Sequence, residues 1–178
     1  MNQYYKDFID FFKKHNLYEE KMFDYIRRNS TLFDYRNEEQ RIFIGCFYIC
    51  NKQNILQKIK LCVPIINSQI TTLINIHEYL HAIELYNKIG KKYQNSDTEE
   101  VLPMLYELLY FLDNPSKELE NHLIYLNTRI KDDTKESYKI ALSIEKELLK
   151  YYKEKNPNLK KLQRQAKKLT KKYQRDHR

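Results

Sequence analysis

The chain has little glycine and little proline, and it has no tryptophan. Two glycines and four prolines among 178 residues are too few for the many turns of a β-sandwich or β-barrel. Hydrophobic residues make up 42% of the chain, which is enough to build a buried core at this length. Composition alone therefore favours a mainly helical globular protein.

Long apolar segments and paired cysteines are also missing. The longest apolar run, residues 42–50, is far shorter than the roughly 20 residues that a membrane helix needs. The N-terminal stretch carries charges throughout and lacks the apolar centre of a signal peptide. The three cysteines, Cys46, Cys50 and Cys62, are an odd number without CxxC spacing, which is typical of reduced, buried thiols. These features predict a cytoplasmic protein with no membrane partner.

The net charge of +8 arises at one end of the chain. Residues 157–178 hold nine of the 32 Lys and Arg residues and one of the 24 acids, so residues 1–156 hold 23 of each. Leucines recur near helical spacing among these bases, which predicts a basic C-terminal helix. A solvated helical or frayed terminus is the commoner interpretation of such a segment, because no nucleic-acid fold motif accompanies the bases. Contact with nucleic acid or an acidic partner is the alternative.

Hydrophobic periodicity divides the chain into helical and strand-like parts. Apolar residues repeat at helical spacing near the N-terminus and again after residue 68, whereas two short β-branched and aromatic runs lie between them. This pattern predicts an α+β fold, mainly α, in which a β-hairpin precedes a helical bundle. The predicted organisation is one domain over residues 1–156, made of N-terminal helices (1–40), the hairpin (41–66) and the later helices (68–155), with a basic tail over residues 157–178.

Three residues mark local boundaries in this plan. Pro64 lies in the second run of the hairpin (58–66) and predicts that this strand is at the sheet edge, since proline cannot donate to a ladder. Ser68 is expected to cap the next helix and Gly90 to end it. An edge strand at 58–66 would be able to pair with extended substrate backbone; an ordinary edge strand is the alternative.

The helix after Ser68 contains the sequence HEYLH at residues 77–81. Because residues four apart stack on a helix, His77 and His81 are expected to present their imidazoles to one point. The same stripe carries three apolar residues, Ile70, Ile74 and Leu85. A polar ring in such a stripe costs roughly 1–3 kcal/mol unless it has a partner, and one divalent cation would serve both rings.

Zinc is the cation that this spacing favours. Neutral imidazole is a good Zn²⁺ ligand, and the HExxH arrangement places Glu78 as the general base beside a zinc-bound water. Zinc lowers the pKa of such a water toward ~7, which makes a nucleophile for a peptide carbonyl. The alternative interpretation is a pair of core histidines with a surface glutamate at residue 78. Glu84 is also expected at the surface.

A catalytic zinc usually has three protein ligands and one open position. The glycine and third histidine that follow the motif in metzincins are missing here. Glu100, nineteen residues after His81 and at the start of the next predicted helix, is the best candidate for the third ligand. The alternative for Glu100 is a capping box with Asp97. The other candidate ligands are Glu99, Glu107 and Asp113.

The sequence HEYLH, a linker and then EEVLPMLYE together resemble the gluzincin zinc peptidases, especially those of the oligoendopeptidase F and thimet-oligopeptidase kind. The resemblance covers about 35 of the 178 residues, and it implies that the domain over residues 1–156 is zincin-like. It implies that His77, His81 and Glu100 are the Zn²⁺ ligands. It also implies that Glu78 is the general base and that Glu107 is an acid that supports the ligands. Two positions depart from the family pattern. Pro103 lies one residue further from Glu100 than the family's proline does, and Leu80 replaces the usual glycine inside HExxH.

The related peptidases also stabilise the oxyanion of the reaction with a tyrosine or histidine from a later helix. The resemblance implies Tyr138 for this catalytic role, with His122 as the second choice. Because the chain has sixteen tyrosines, a tyrosine that only packs is an equally good interpretation of Tyr138.

Together these features predict a zinc-dependent metallopeptidase, a hydrolase that cleaves peptide bonds in a peptide or protein substrate. Two alternatives stay open. One is a site-specific protease that acts on a regulator of a mobile element, such as a repressor. The other is a non-catalytic helical module that binds nucleic acid or protein.

Overall fold

The computed structural model describes residues 2–36, 39, 44–94, 99–132 and 136–177. Over these residues the protein is mainly helical with one small β-sheet, which confirms the predicted α+β class. The chain divides into two compact units, Met1–Gln94 and Asn95–Arg178. The elements described in the first unit are α1 (Gln3–Lys14), α2 (Glu20–Arg28), β1 (Ser30–Phe33), β2 (Gly45–Cys50), β3 (Leu56–Pro64) and α3 (Gln69–Tyr86). Those of the second unit are α4 (Val101–Asp113), α5 (Lys117–Asp132), α6 (Glu136–Lys155) and α7 (Leu159–Asp176).

The sheet of the first unit has the strand order β1-β3-β2. β2 and β3 pair antiparallel, from Gly45 opposite Cys62 to Cys50 opposite Leu56, so the predicted hairpin is confirmed. β1 pairs parallel with the other side of β3. This short strand was not predicted, and it lies within the range expected to be helical.

The prediction that β3 is an edge strand is wrong, because β3 is the central strand. Leu61 and Ile65 donate their N–H groups toward β1, and alternate residues of a strand donate to opposite sides. The missing N–H of Pro64 therefore falls on the β2 side, where the last described pair is Gly45 opposite Cys62. The proline removes no ladder hydrogen bond from the described sheet, so it does not force β3 to the edge.

Helix α3 lies against the sheet, and α1 and α2 pack on it. Aromatic rings fill the contact with these two helices. Tyr79 of α3 meets Phe8 edge-on at a ring-centroid distance of 4.9 Å and lies 5.5 Å from Phe23. Ile76 and Leu80 are fully buried. These contacts fix the position of α3 within the first unit.

Local sequence explains the start of α3 but not the predicted position of its end. The Oγ of Ser68 accepts from the Thr71 N–H at 3.1 Å, and the Thr71 Oγ1 accepts from the Ser68 N–H at 2.9 Å, so the predicted cap is confirmed. The helix ends at Tyr86, so the prediction that Gly90 ends it is wrong. Gly90 has φ +78° and donates its N–H to the Leu56 carbonyl at 2.8 Å. It serves a turn after the helix, where glycine is favoured.

The second unit is helical in its described residues. Helix α6 packs against α4, α5 and α7. The predicted basic C-terminal helix is present as α7, and it packs through the buried residues Leu162, Ala166 and Leu169. The predicted domain boundary at residue 156 stays a prediction. In the described part of the chain, no helix is both long and apolar enough to span a membrane.

Candidate metal centre

The two histidines of HEYLH lie one turn apart on α3. The Nε2 atoms of His77 and His81 are 3.1 Å apart. Their ring centroids are 4.9 Å apart, and the ring planes meet at 66°. The rings therefore converge, as helical spacing predicts.

This ring geometry fits a shared zinc ion. Two nitrogens at roughly 2.0–2.1 Å from a tetrahedral zinc are about 3.3 Å apart, which is close to the observed 3.1 Å between the Nε2 atoms. The same distance also fits a direct hydrogen bond in which one ring donates its N–H to the other. Metal content distinguishes the two arrangements, because an ion bound to both nitrogens leaves no proton between them.

The histidine-bearing face of α3 is its less buried face. His77, Glu78 and His81 are half-buried, whereas Ile76 is fully buried. Of the apolar residues predicted on the same stripe, Leu85 is buried, whereas Ile70 and Ile74 are half-buried like the two rings. Glu84, predicted at the surface, is also half-buried. The partial exposure of these side chains is compatible with the open ligand position that a catalytic zinc requires.

A buried asparagine holds α3 against the end of β3. Asn75 is 1% exposed, and its Nδ2 donates to the carbonyl oxygens of Pro64 and Thr71, both at 2.8 Å. Because Asn75 comes two residues before His77, these bonds position the helical turn that carries the first histidine. Sequence reasoning missed this residue. The one sequence feature that could have indicated Asn75 is its position, because a polar amide stands there between two isoleucines.

Glu78 lies close enough to Cys46 on β2 for its charge to affect the thiol. Burial, and then the negative charge of Glu78, raise the pKa of the Cys46 thiol far above its ordinary value. The three cysteines are free, as expected, but they are half-buried and not fully buried. An edge strand, β2, therefore lies near Glu78, whereas the strand predicted for that role, at 58–66, is central in the sheet.

Glu100 and Glu107 lie at the start and in the middle of α4. Glu100 is the N-cap residue and is 4% exposed, and its side chain makes no capping hydrogen bond to the described backbone. Asp97, its predicted partner in a capping box, lies outside the described residues. Glu107 is 7% exposed and lies two turns further along the same face. Buried carboxylates of this kind need charged or hydrogen-bonding partners.

Three of the predicted residues form a group that could hold a metal ion. One ligand atom from each of His77, His81 and Glu100 lies within 4.8 Å of the other two. Two imidazole nitrogens and a carboxylate oxygen are ligand types of a catalytic zinc site. The other candidate ligands, Glu99, Glu107 and Asp113, do not belong to this group.

Glu107 has two titratable neighbours within the second unit. Burial, and then the charge of Glu107, raise the pKa of Glu145 on α6 to about 7. Burial lowers the pKa of His122 on α5, against the opposite effect of Glu107 and Glu118. Sequence spacing did not indicate Glu145, since an acid is ordinary on a charged helix. Tyr138 is half-buried on α6, and its role in the reaction stays a prediction.

Comparison of the chain with protein-family models, curated proteins and solved structures gives no match. The resemblance to gluzincin peptidases therefore rests on the motif residues alone. The functional interpretation depends on the side-chain geometry described above.

Proposed function

We propose that this protein is a zinc-dependent metallopeptidase that hydrolyses peptide bonds in a peptide or protein substrate. His77, His81 and Glu100 would hold the ion, and Glu78 would act as the general base. The observation that carries the proposal is the convergence of two imidazoles and a buried carboxylate, with ligand atoms within 4.8 Å of one another.

The chemistry divides between the ion and the side chains. A zinc ion bound here would supply Lewis acidity to the peptide carbonyl and lower the pKa of water. Glu78 would accept a proton from the attacking water on a carboxylate oxygen and pass it to the leaving amide nitrogen. Tyr138 would donate a hydrogen bond to the developing oxyanion. Glu107 would act as an acid that supports Glu100, its neighbour along the same helix.

An extended substrate would have a partner in β2. This strand lies at the edge of the described sheet, and the charge of Glu78 contributes to the raised pKa of the Cys46 thiol on it. Peptide backbone adds to such edges through main-chain hydrogen bonds. This role replaces the one predicted for β3, because both sides of β3 are already paired.

The test is hydrolysis of a quenched fluorescent peptide library by zinc-loaded protein and by its Glu78→Gln variant. Loss of a general base costs about 10²–10⁴-fold in rate, so the variant should retain its zinc but lose turnover by at least about a hundredfold. Chelation should abolish the activity of the original protein, and added zinc should restore it.

Glu20→Gln is the matched control, because it removes the same charge from an exposed position on α2. It should leave turnover unchanged. Equal turnover in the Glu78→Gln and control proteins would contradict the proposed role of Glu78. Cleavage confined to one sequence would favour a site-specific protease over a broad peptidase.

A second candidate function is a non-catalytic helical module that binds nucleic acid or an acidic protein. The observation that favours it is that α7 carries many exposed Lys and Arg residues. Zinc in such a protein would be structural. A zinc-loaded protein that cleaves no peptide in the library would support this candidate.

A further inference from the structure

The bases of α7 lie on one face of the helix. They are eight exposed residues: Lys160, Lys161, Arg164, Lys167, Lys168, Lys171, Lys172 and Arg175. At 3.6 residues per turn they fall within an arc of about 140°, and every residue in that arc is Lys or Arg. We call this arc the basic face of α7.

The opposite face of α7 is buried. Leu162, Ala166 and Leu169 are at most 7% exposed, and α7 packs against α6 and α4. The helix is therefore amphipathic with its apolar side already used in the core. A membrane surface would need that apolar side for insertion, so the basic face is left to bind by charge alone.

Most of the positive charge on this face is not neutralised by described residues. The Nζ atom of Lys172 lies 3.6 Å from Oε1 of Glu147 on α6. The Nε atom of Arg175 lies 3.4 Å from Oδ1 of the neighbouring Asp176. Both contacts are exposed surface pairs, which are worth about 0–1 kcal/mol. Among the described residues, the other six bases of the face form no ion pair. The face thus retains a dense positive charge in water.

The spacing of these charges suits a linear polyanion. The basic face runs from residue 160 to residue 175, roughly 22 Å at 1.5 Å per residue. Neighbouring bases three or four residues apart are about 5–6 Å apart, and a nucleic-acid strand carries one phosphate charge per roughly 3.4 Å of axis. A folded acidic protein would have to present a matching row of carboxylates, whereas every duplex carries a regular row of phosphates.

We propose that the basic face of α7 binds the phosphate backbone of duplex nucleic acid without reading its sequence. Lys supplies six of the eight bases, and a Lys ammonium contacts phosphate as a point charge. The arc holds no Asn or Gln, the side chains that read adenine, and only two Arg residues, whose forked guanidinium is suited to reading guanine. This inference develops the second candidate function and does not depend on peptide hydrolysis.

The experiment is fluorescence anisotropy with labelled duplex DNA of about 20 base pairs, which outspans the basic face. The full chain is compared with the triple variant Lys167→Gln, Lys168→Gln and Lys171→Gln over a range of salt concentrations. Each lost phosphate contact lowers the slope of log K against log salt by about 0.9. The triple variant should therefore bind at least about tenfold more weakly and show a slope smaller by roughly 2 to 3.

The matched control is the triple variant Lys6→Gln, Lys21→Gln and Lys52→Gln, which removes the same charge from exposed positions of the first unit. It should keep the original affinity and salt slope. Two unrelated DNA sequences should bind equally, and polyglutamate of equal charge should compete poorly.

Three results would overturn the proposal: no binding at low salt, equal loss in both triple variants, or equal competition by polyglutamate. The last result would assign the face to acidic proteins. Circular dichroism of both variants excludes unfolding as a cause of lost binding. Because no peptide is cleaved in this assay, its outcome is separate from that of the hydrolysis test.

Discussion

The side-chain amide of Asn75 donates a hydrogen bond to the carbonyl oxygen of Pro64 across 2.8 Å. This bond joins the middle of α3 to the last residue of the central strand. Pro64 cannot donate a hydrogen bond of its own, but its carbonyl is a strong acceptor. The same contact thus satisfies a buried carbonyl and positions the helical turn that carries His77.

Replacement of Asn75 by Ala should lower the free energy of unfolding by about 1–3 kcal/mol, because it leaves the buried Pro64 carbonyl without this donor. Urea denaturation measures the change. The control is Asn87→Ala, which removes a similar bond to the Ile83 carbonyl at the exposed C-terminal end of the same helix. The control should cost less than about 1 kcal/mol, as surface substitutions usually do. Equal losses in the two variants would show that burial of the Asn75 bonds does not matter.

Cys46 should react slowly with iodoacetamide at pH 8 in the folded protein. Burial and the charge of Glu78 raise the pKa of this thiol far above its ordinary value, and the thiolate is the reactive form. Mass spectrometry of tryptic peptides over time gives the alkylation rate of each cysteine. The same protein in urea is the control, where Cys46 should react at the rate of an ordinary thiol. Fast labelling of folded Cys46 would contradict the burial of this thiol beside Glu78.

Glu145 should make the protein less stable as the pH rises from about 4.5 to about 7. In the unfolded chain this carboxyl ionises near its ordinary pKa of 4.5, whereas in the folded protein its pKa is raised to about 7. As the pH rises, Glu145 therefore loses its proton in the unfolded chain before it does so in the folded protein. The free energy of unfolding is highest below pH 4.5 and falls between about pH 4.5 and about pH 7. Glu145→Gln, which stays neutral, should raise the melting temperature at pH 8 and flatten its pH dependence.

The control for that measurement is Glu147→Gln, an exposed acid on the same helix. Its removal should leave the pH dependence of the melting temperature close to that of the original protein. A melting profile that is the same for Glu145→Gln and the original protein would mean that Glu145 ionises normally in the folded state.

Glu100→Ala should weaken zinc binding more than Glu107→Ala does. The first substitution removes a proposed ligand, whereas the second removes an acid that supports it, which typically costs about 10–100-fold in affinity. Competition with a chromogenic zinc chelator measures both constants. If Glu107→Ala has the larger effect, the proposed roles of the two glutamates are reversed.

Local patterns predicted the parts of this fold that depend on neighbours in sequence. Ser68 caps α3 through Thr71, three residues away, and the helical spacing of His77 and His81 brought their rings together. Contacts between distant segments were not predictable in this way. β3 is central only because residues 30–33 pair with it, and this four-residue segment has too little periodicity to be read as a strand.

Side-chain environments were harder to predict than helices. The high pKa of Glu145 depends on burial against Glu107, which comes from another helix. The effect of Glu78 on Cys46 likewise depends on the packing of α3 beside β2. Sequence spacing identified residue types that suit zinc, but only tertiary packing determines which acids are buried and which neighbours they have.

Zinc content by inductively coupled plasma mass spectrometry, after dialysis against metal-free buffer, tests the central claim most directly. The original protein should hold about one zinc per chain, and His81→Ala should hold almost none. His177→Ala, which removes an exposed histidine of the same kind, should keep the full amount. A protein without zinc even after zinc is supplied, or a His81→Ala variant with undiminished zinc, would contradict a metal site at His77 and His81.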